Sequence, residues 1–345
     1  MANKESLRKQ RKKRRKYRLL IILLLLFGTG TLLTTSTYAW FTSNKNVSVE
    51  SLTVNIEAKH GIQISADGTN WKAMVQKSDL TGAKSGKYSA AVNQLPTTLE
   101  PVSTAAIVDA NGRLPMYYGV VETSESEAHN GEYILTATKE EDKDDSTRTD
   151  GTIGKYIAFD LFFKVNAETP VYLTAGSGVT STDETDKGIK NASRIAFVTL
   201  GHTTDGDTLT NIQALNNGAS STVTLWEQNY DVHTAAGVNQ AQDVYGLTTT
   251  QEGAAALAYR GVINTISVSE DILQSDTSDN TKFADVTPNI KTTKGFTTNT
   301  SLFTLASGIT KVRVYMWVEG QDVDCENNAS GGNIKFDLKI TTNAE

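Results

Sequence analysis

The sequence predicts an all-β fold, an antiparallel β-sandwich or jelly roll with a few short helices in insertions. Three observations predict it. Threonine is the compositional outlier, 47 of 345 residues against five prolines, and such a chain favours extended strands over helical bundles. Apolar and polar residues alternate in segment after segment. Helix signals are few.

The elements follow in chain order. Leu52, Val54 and Ile56 alternate with Thr53, Asn55 and Glu57 as the first body strand. Ile62-Gln63-Ile64-Ser65 runs into the turn dipeptide Asp67-Gly68 and then Trp71, a hairpin pattern. Residues 116–122 and 133–137 are further strands. Across 156–166, Ile157, Phe159, Leu161, Phe163 and Val165 share one face. Residues 171–175, 194–200, 222–226 and 262–268 follow. Val312, Val314, Met316 and Val318 then alternate with Arg313, Tyr315 and Trp317. In the last strand Ile334, Phe336, Leu338 and Ile340 face in, while Lys335, Asp337, Lys339 and Thr341 face out. Strands with one wet face each close into a sandwich or jelly roll. One helix is predicted over 251–260, after the capping box Thr249-x-x-Glu252 and before Gly261, and a second over 209–216, before Gly218. Residues 139–150 read as a charged, solvated loop. Residues 202–300 are weaker in pattern and read as an insertion or second lobe of a domain spanning 50–345.

Charge is unevenly distributed. Ten of the 33 Lys and Arg residues lie between Lys4 and Arg18, with one acid, Glu5, among them. Beyond residue 39 the balance is 23 basic to 38 acidic, a net −15. That excludes a body that coats nucleic acid. The single cysteine excludes an intrachain disulfide framework and a thiolate zinc cluster.

Residues 1–39 have the layout of a secretory signal: a basic stretch, nine unbroken apolar residues from Leu19 to Phe27, then small residues at Thr37 and Ala39. The cut falls between Ala39 and Trp40. The competing reading is a retained anchor, although residues 19–33 fall short of the ~20 apolar residues that span a bilayer. Either way the positive charge keeps the N-terminus inside and the body is exported.

Cleavage would free residues 40–49 as an extended arm. Val47 and Val49 are apolar on odd numbers, whereas Leu52, Val54 and Ile56 are apolar on even numbers. The phase change across Glu50-Ser51 predicts a bulge or break. An arm bearing Trp40, Phe41, Val47 and Val49 either folds back onto its own sheet or adds as a strand to the next subunit. Head-to-tail addition need not close, and so gives filaments.

The run Ser36-Thr37-Tyr38-Ala39-Trp40-Phe41-Thr42-Ser43, followed by Leu52-Thr53-Val54-Asn55-Ile56, resembles the start of the TasA/camelysin family. The resemblance is specific over residues 28–58. It implies secretion by a Gram-positive bacterium, cleavage between Ala39 and Trp40 by a dedicated signal peptidase, and a jelly-roll fold. It also implies biofilm-matrix fibres built by N-terminal strand donation, with Trp40, Phe41, Val47 and Val49 as donor side chains. Residues 317–325 resemble a segment near the end of surface proteins of Firmicutes.

Signs of catalysis are sparse. Of the four histidines, His60, His129, His202 and His233, none sits in an HExxH pair, so the zinc ligands of a camelysin-like metalloprotease do not carry over. There is no G-x-S-x-G elbow. Cys325 lies among acids that disfavour a thiolate. Calcium is the ion that suits the chain best, with Asp322, Asp324 and Glu326 offering oxygens on a loop and Asp142, Asp144 and Asp145 offering a second cluster. The plainer reading of both is acids that solvate a loop. Residues 226–233 mix aromatic and polar groups and read as a strand end plus a turn, or as a glycan-binding surface. The expected function is a non-enzymatic, secreted filament protein of the matrix or cell surface, with itself and cell-wall or matrix components as partners and no nucleic acid. A membrane-tethered adhesin is the alternative. Mass spectrometry of the native protein is expected to find a chain starting at Trp40 in the medium or cell wall. Retention of residues 19–33 in the membrane fraction would show the tethered form.

Overall fold

The computed structural model describes residues 47–56, 61–81, 88, 91–142, 154–183, 187–273, 281–326 and 331–344. The expected signal, its cut at Ala39, and Trp40 and Phe41 lie outside the described residues. So do Asp144 and Asp145.

The chain is all-β. Its first strands are β1 (Val47–Ile56), β2 (Gln63–Ser65), β3 (Asn93–Gln94), β4 (Thr98–Leu99), β5 (Met116–Thr123) and β6 (Tyr133–Glu140). There follow β7 (Ile157–Val165), β8 (Thr169–Leu173), β9 (Gly178–Ser181), β10 (Ser193–Thr203), β11 (Thr222–Gln228) and β12 (Tyr259–Val262). The last six are β13 (Ser269–Leu273), β14 (Phe283–Val286), β15 (Ile290–Thr292), β16 (Thr300–Leu305), β17 (Gly308–Val318) and β18 (Asn333–Thr341). Among the described residues the α-helices are α1 (Lys77–Thr81), α2 (Leu209–Ala214) and α3 (Ala235–Tyr245).

Two sheets face each other. The first runs β16-β8-β18-β1-β4, with β9 also on β18. The second runs β15-β11-β10-β17-β7-β2, with β3 also on β7. Phe159, Phe163, Val314 and Met316 of the second sheet pack against Phe336, Leu338 and Ile340 of the first. The alternation of β18 is as the sequence predicts, except that Thr341 is also buried.

The second sheet is not wet on its other face. Every residue of β17 is buried, and all of β7 but Lys164. A third layer lies there, made of the three-stranded sheet β13-β6-β5, the pair β12-β14 and the segment that leads into β5. Ala196, Val198, Tyr315 and Trp317 of the second sheet meet Val102, Leu114, Met116 and Tyr259 of this cover. Tyr117, Leu135, Val262, Ile272 and Phe283 join the two small sheets to each other. The stretch 202–300, expected as an insertion or second lobe, supplies β11 and β15 to the second sheet and β12, β13 and β14 to the cover.

Two strand pairs are parallel, β1 with β18 and β11 with β15; every other named pair is antiparallel. The register of β1 on β18 steps between Val49, opposite Ile334, and Ser51, opposite Lys335. Glu50 is thus the extra residue of a bulge, at the predicted change of phase. N-terminal to it, Val47 and Ser48 also pair with Leu99 and Thr98 of β4.

Two local expectations need correction. Residues 251–260 are not helical. Gly253 has a left-handed φ of 65°, Val232 bridges Glu252, and Tyr259 enters β12. The nearby helix is instead α3, capped by Thr234, whose side chain accepts from Gly237 N, and closed by left-handed Gly246. The hairpin after Ile64 shrinks to one bridge, Ile64 to Lys72. Its turn is held by Asp67, which accepts from Thr69 N and Asn70 N at 2.8 Å each.

Within the cover, β12 packs closely on the segment that leads into β5. A Cβ at Gly261 would lie 2.0 Å from Thr104 O, while Ala105 N donates to Val262 O at 2.8 Å. Gly261→Ala is expected to cost roughly 1–3 kcal/mol, as overpacked sites do, read from the denaturant midpoint. An unchanged midpoint would mean that β12 does not lie so close.

Candidate functional site

The segment singled out in the sequence, 317–325, is the polar centre of the molecule. It leaves the end of β17 and turns under the cover. Glu319 N donates to Ala192 O at 2.8 Å and Gly320 N donates to Val102 O at 2.9 Å. These bonds tie the segment to the start of β10 and to the cover at once.

Its charges face inward. Arg194 of β10 is 1% exposed and stands directly across from Glu227 of β11 in the register. Its Nη2 donates to Glu227 Oε1 at 2.8 Å and to Asp322 Oδ2 at 2.5 Å. Its Nη1 donates to Asn191 O at 2.8 Å and Ser193 O at 3.1 Å. The Tyr259 ring covers it at 5.6 Å. Burial opposes the guanidinium charge, but Glu227 and Asp322 outweigh it and raise its pKa.

Asp324 fixes the start of α3. It accepts from Thr234 N at 2.8 Å, from Thr234 Oγ1 at 3.1 Å and from His233 Nδ1 at 2.8 Å. A carboxylate suits a helix N-terminus. Gly237 makes room for it, since a Cβ there would lie 2.3 Å from Asp324 Oδ1. Burial pulls the His233 pKa down, but the bond to Asp324 and the nearby carboxylates hold it above its ordinary value.

Glu319 is fully buried. Trp317 Nε1 donates to its Oε2 at 3.0 Å and Gln321 N to its Oε1 at 3.1 Å. Burial outweighs these bonds and pushes its pKa up to about 7. Burial likewise raises Glu227, although Arg194 pulls against it.

A second buried charge group lies on the same face of the sheet. Asp160 of β7 is opposite Arg313 of β17 and accepts from its Nε at 2.6 Å and Nη2 at 3.1 Å. Lys311 Nζ is 3.4 Å from the same carboxylate, and Tyr88 OH donates to it at 3.0 Å. Burial raises the Asp160 pKa, but Arg313 and Lys311 more than reverse this and hold it low.

The sequence-predicted calcium residues are buried, not on a solvated loop. Asp322 and Asp324 belong to Arg194 and to His233 with Thr234, and Glu326 lies beside them, 7% exposed. Among the described residues, no group of three or more His, Cys, Asp or Glu is arranged to hold a metal ion. His129 is beside Glu132, and His202 beside Ser307 O. Cys325 is in the inter-sheet core. Asp142 is beside Arg113 and accepts from Tyr156 OH. Residues 226–233 form a strand end and a turn, with Trp226 fully buried. Of the donor-strand residues, Val47 and Val49 lie in β1. Sequence reading found Asp322 and Asp324 but missed Arg194, Glu227 and His233 as their partners. Among the described residues no helix is long and apolar enough to cross a membrane.

The linkage has a definite sign. Glu319 keeps its proton in the folded state up to about 7, whereas its ordinary value is 4.5. Between those values the folded state binds more protons than the unfolded one, so stability falls as pH rises, by on the order of 3 kcal/mol in all. Glu227 adds to the fall with the same sign. His233, raised, also contributes stability that is lost as pH rises through its folded value. The melting temperature is therefore expected to be higher at about pH 5.5 than at about pH 8. Glu319→Gln, which keeps an acceptor for Trp317, is expected to flatten the slope. A profile that rises over this range would contradict the buried acid.

Comparison with known proteins found no matching family model, no similar curated protein and no similar solved structure.

Proposed function

We propose that this chain is an exported structural protein of the cell surface or biofilm matrix, assembling head to tail by exchange of its N-terminal strand. The observation that carries the proposal is the slot occupied by Val47–Val49. Val47 and Ser48 pair with β4, Ser48 and Val49 pair with the start of β18, and the bulge at Glu50 separates all three from the rest of β1. A strand held by main-chain pairing on both sides can be replaced by the same strand of a neighbour with no change of partner. The bulge is the natural pivot, because beyond it Leu52 to Ile56 stay paired with Phe336 to Ile340. Such exchange is heterologous and propagates.

The secretory layout of residues 1–39 supports the reading, since cleavage at Ala39 would give the arm a free end. The resemblance of residues 28–58 to the TasA/camelysin family supports it as well. The partners are then further copies of the chain, a signal peptidase, and matrix or cell-wall components. Deleting residues 40–49 from the processed chain is expected to abolish fibres in electron micrographs while circular dichroism still reports a folded β protein. Undiminished fibres from the folded deletion variant would overturn the proposal.

A further inference from the structure

The buried polar centre has one open side. A cavity of about 300 Å³ lies there, between the end of β11, the 321–323 turn, the C-terminal end of α3 and the segment that enters β12. Glu227, His233 and Gln321 line it, and each is less than a tenth exposed. Each also carries one buried polar atom with no partner among the described residues: Glu227 Oε2, His233 Nε2 and Gln321 Nε2. Three such atoms around one cavity are unusual, because buried polar groups are nearly always paired. The rest of the wall is largely apolar, with Leu247, Ala256, Leu257 and Val323.

The charge at the floor does not balance. Two buried cations, Arg194 and His233, face three carboxylates, Glu227, Asp322 and Asp324. At the rim Arg260 has its own counter-ion, Asp285, at 3.4 Å. The floor therefore carries an excess of negative charge in a largely apolar wall, where charge is felt strongly.

We propose that this cavity binds a small organic ammonium ion that carries an oxygen acceptor close to its nitrogen. The ammonium supplies the missing positive charge and donates to Glu227 Oε2. His233 donates through Nδ1 to Asp324, and its protonated ring donates through Nε2 to the ligand oxygen. Gln321 Nε2 donates to the ligand oxygen. The apolar wall covers the carbon skeleton, and the volume is that of a small-molecule site. A bare metal ion fits less well, because the described residues bring no metal-binding set together. Two sources share the ligand chemistry, an amino sugar and an α-amino amide such as a peptide N-terminus. The site uses no residue of β1 or β4, so it is independent of strand exchange.

The test is calorimetric titration of the full chain with D-glucosamine and with leucinamide, beside their N-acetylated forms. At least one free amine is expected to bind at millimolar concentration or better, and its acetylated form roughly tenfold or more weakly. Whichever amine binds identifies the source. Ala258→Trp, at an exposed wall position, is expected to remove binding without lowering the melting temperature. Ala256→Trp serves if that variant does not fold. Absence of binding by both amines, equal binding of the acetylated forms, or undiminished binding by a folded tryptophan variant would overturn the proposal.

Discussion

The structure depends on neutralising a charged sheet face that is covered rather than solvated. Arg313 and Lys311 of β17, Asp160 of β7 and Arg194 of β10 all point away from the inter-sheet core, where water would ordinarily receive them. The cover removes that water from Arg194, where Tyr259 lies on the guanidinium, and Tyr88 with the end of α2 removes it from Asp160 and Lys311. Each arginine is therefore met by a carboxylate directly opposite on the neighbouring strand, Arg313 by Asp160 and Arg194 by Glu227. Breaking one such buried pair leaves a charge without compensation, at a cost of roughly 3–5 kcal/mol. Covering this face without the pairs would bury uncompensated charge. Arg194 further recruits Asp322, and the turn that brings Asp322 also brings Asp324 to His233 and to the start of α3.

This arrangement limits which surfaces are free for assembly. The second sheet has both faces occupied, and the acids of the C-terminal turn are consumed in the interior. The first sheet keeps an outward face, along which Lys335, Asp337 and Lys339 of β18 are only half-buried. It also contains β1, the first strand of the described residues, which a bulge interrupts. Strand exchange at β1 would thus leave the buried charge pairs intact, and the folded body would not have to reorganise.

How much of this was legible in the sequence follows from how local each signal is. The alternation of β18 was readable because water still lies on one side of it. The bulge at Glu50 was readable because a period-two pattern can change phase within one strand only where an extra residue is inserted. The cover was not readable. Arg313, Tyr315 and Trp317 look like a wet face, and nothing near them announces Asp160 as the partner of Arg313, 153 positions away. Asp322 and Asp324 looked like solvated acids for the same reason, since Arg194 and His233 are 128 and 91 positions distant. The helix α3 escaped notice because Gly237 and a polar composition hide its period, while its caps, Thr234 and Gly246, were present throughout. The capping-box pattern at 249–252 competed for the same stretch, and tertiary pairing of Tyr259 overrode it.

The most direct test of strand exchange is a cysteine pair across the slot. Ser48 lies opposite Thr98 in the antiparallel pairing of β1 with β4. The only native cysteine, Cys325, is buried. Fibres of the S48C/T98C double variant, oxidised and run on a denaturing gel without reductant, should give a ladder of covalent oligomers that collapses on reduction. Monomers crosslinked only within one chain, from preparations that contain fibres, would show that each arm stays in its own slot and would contradict the account.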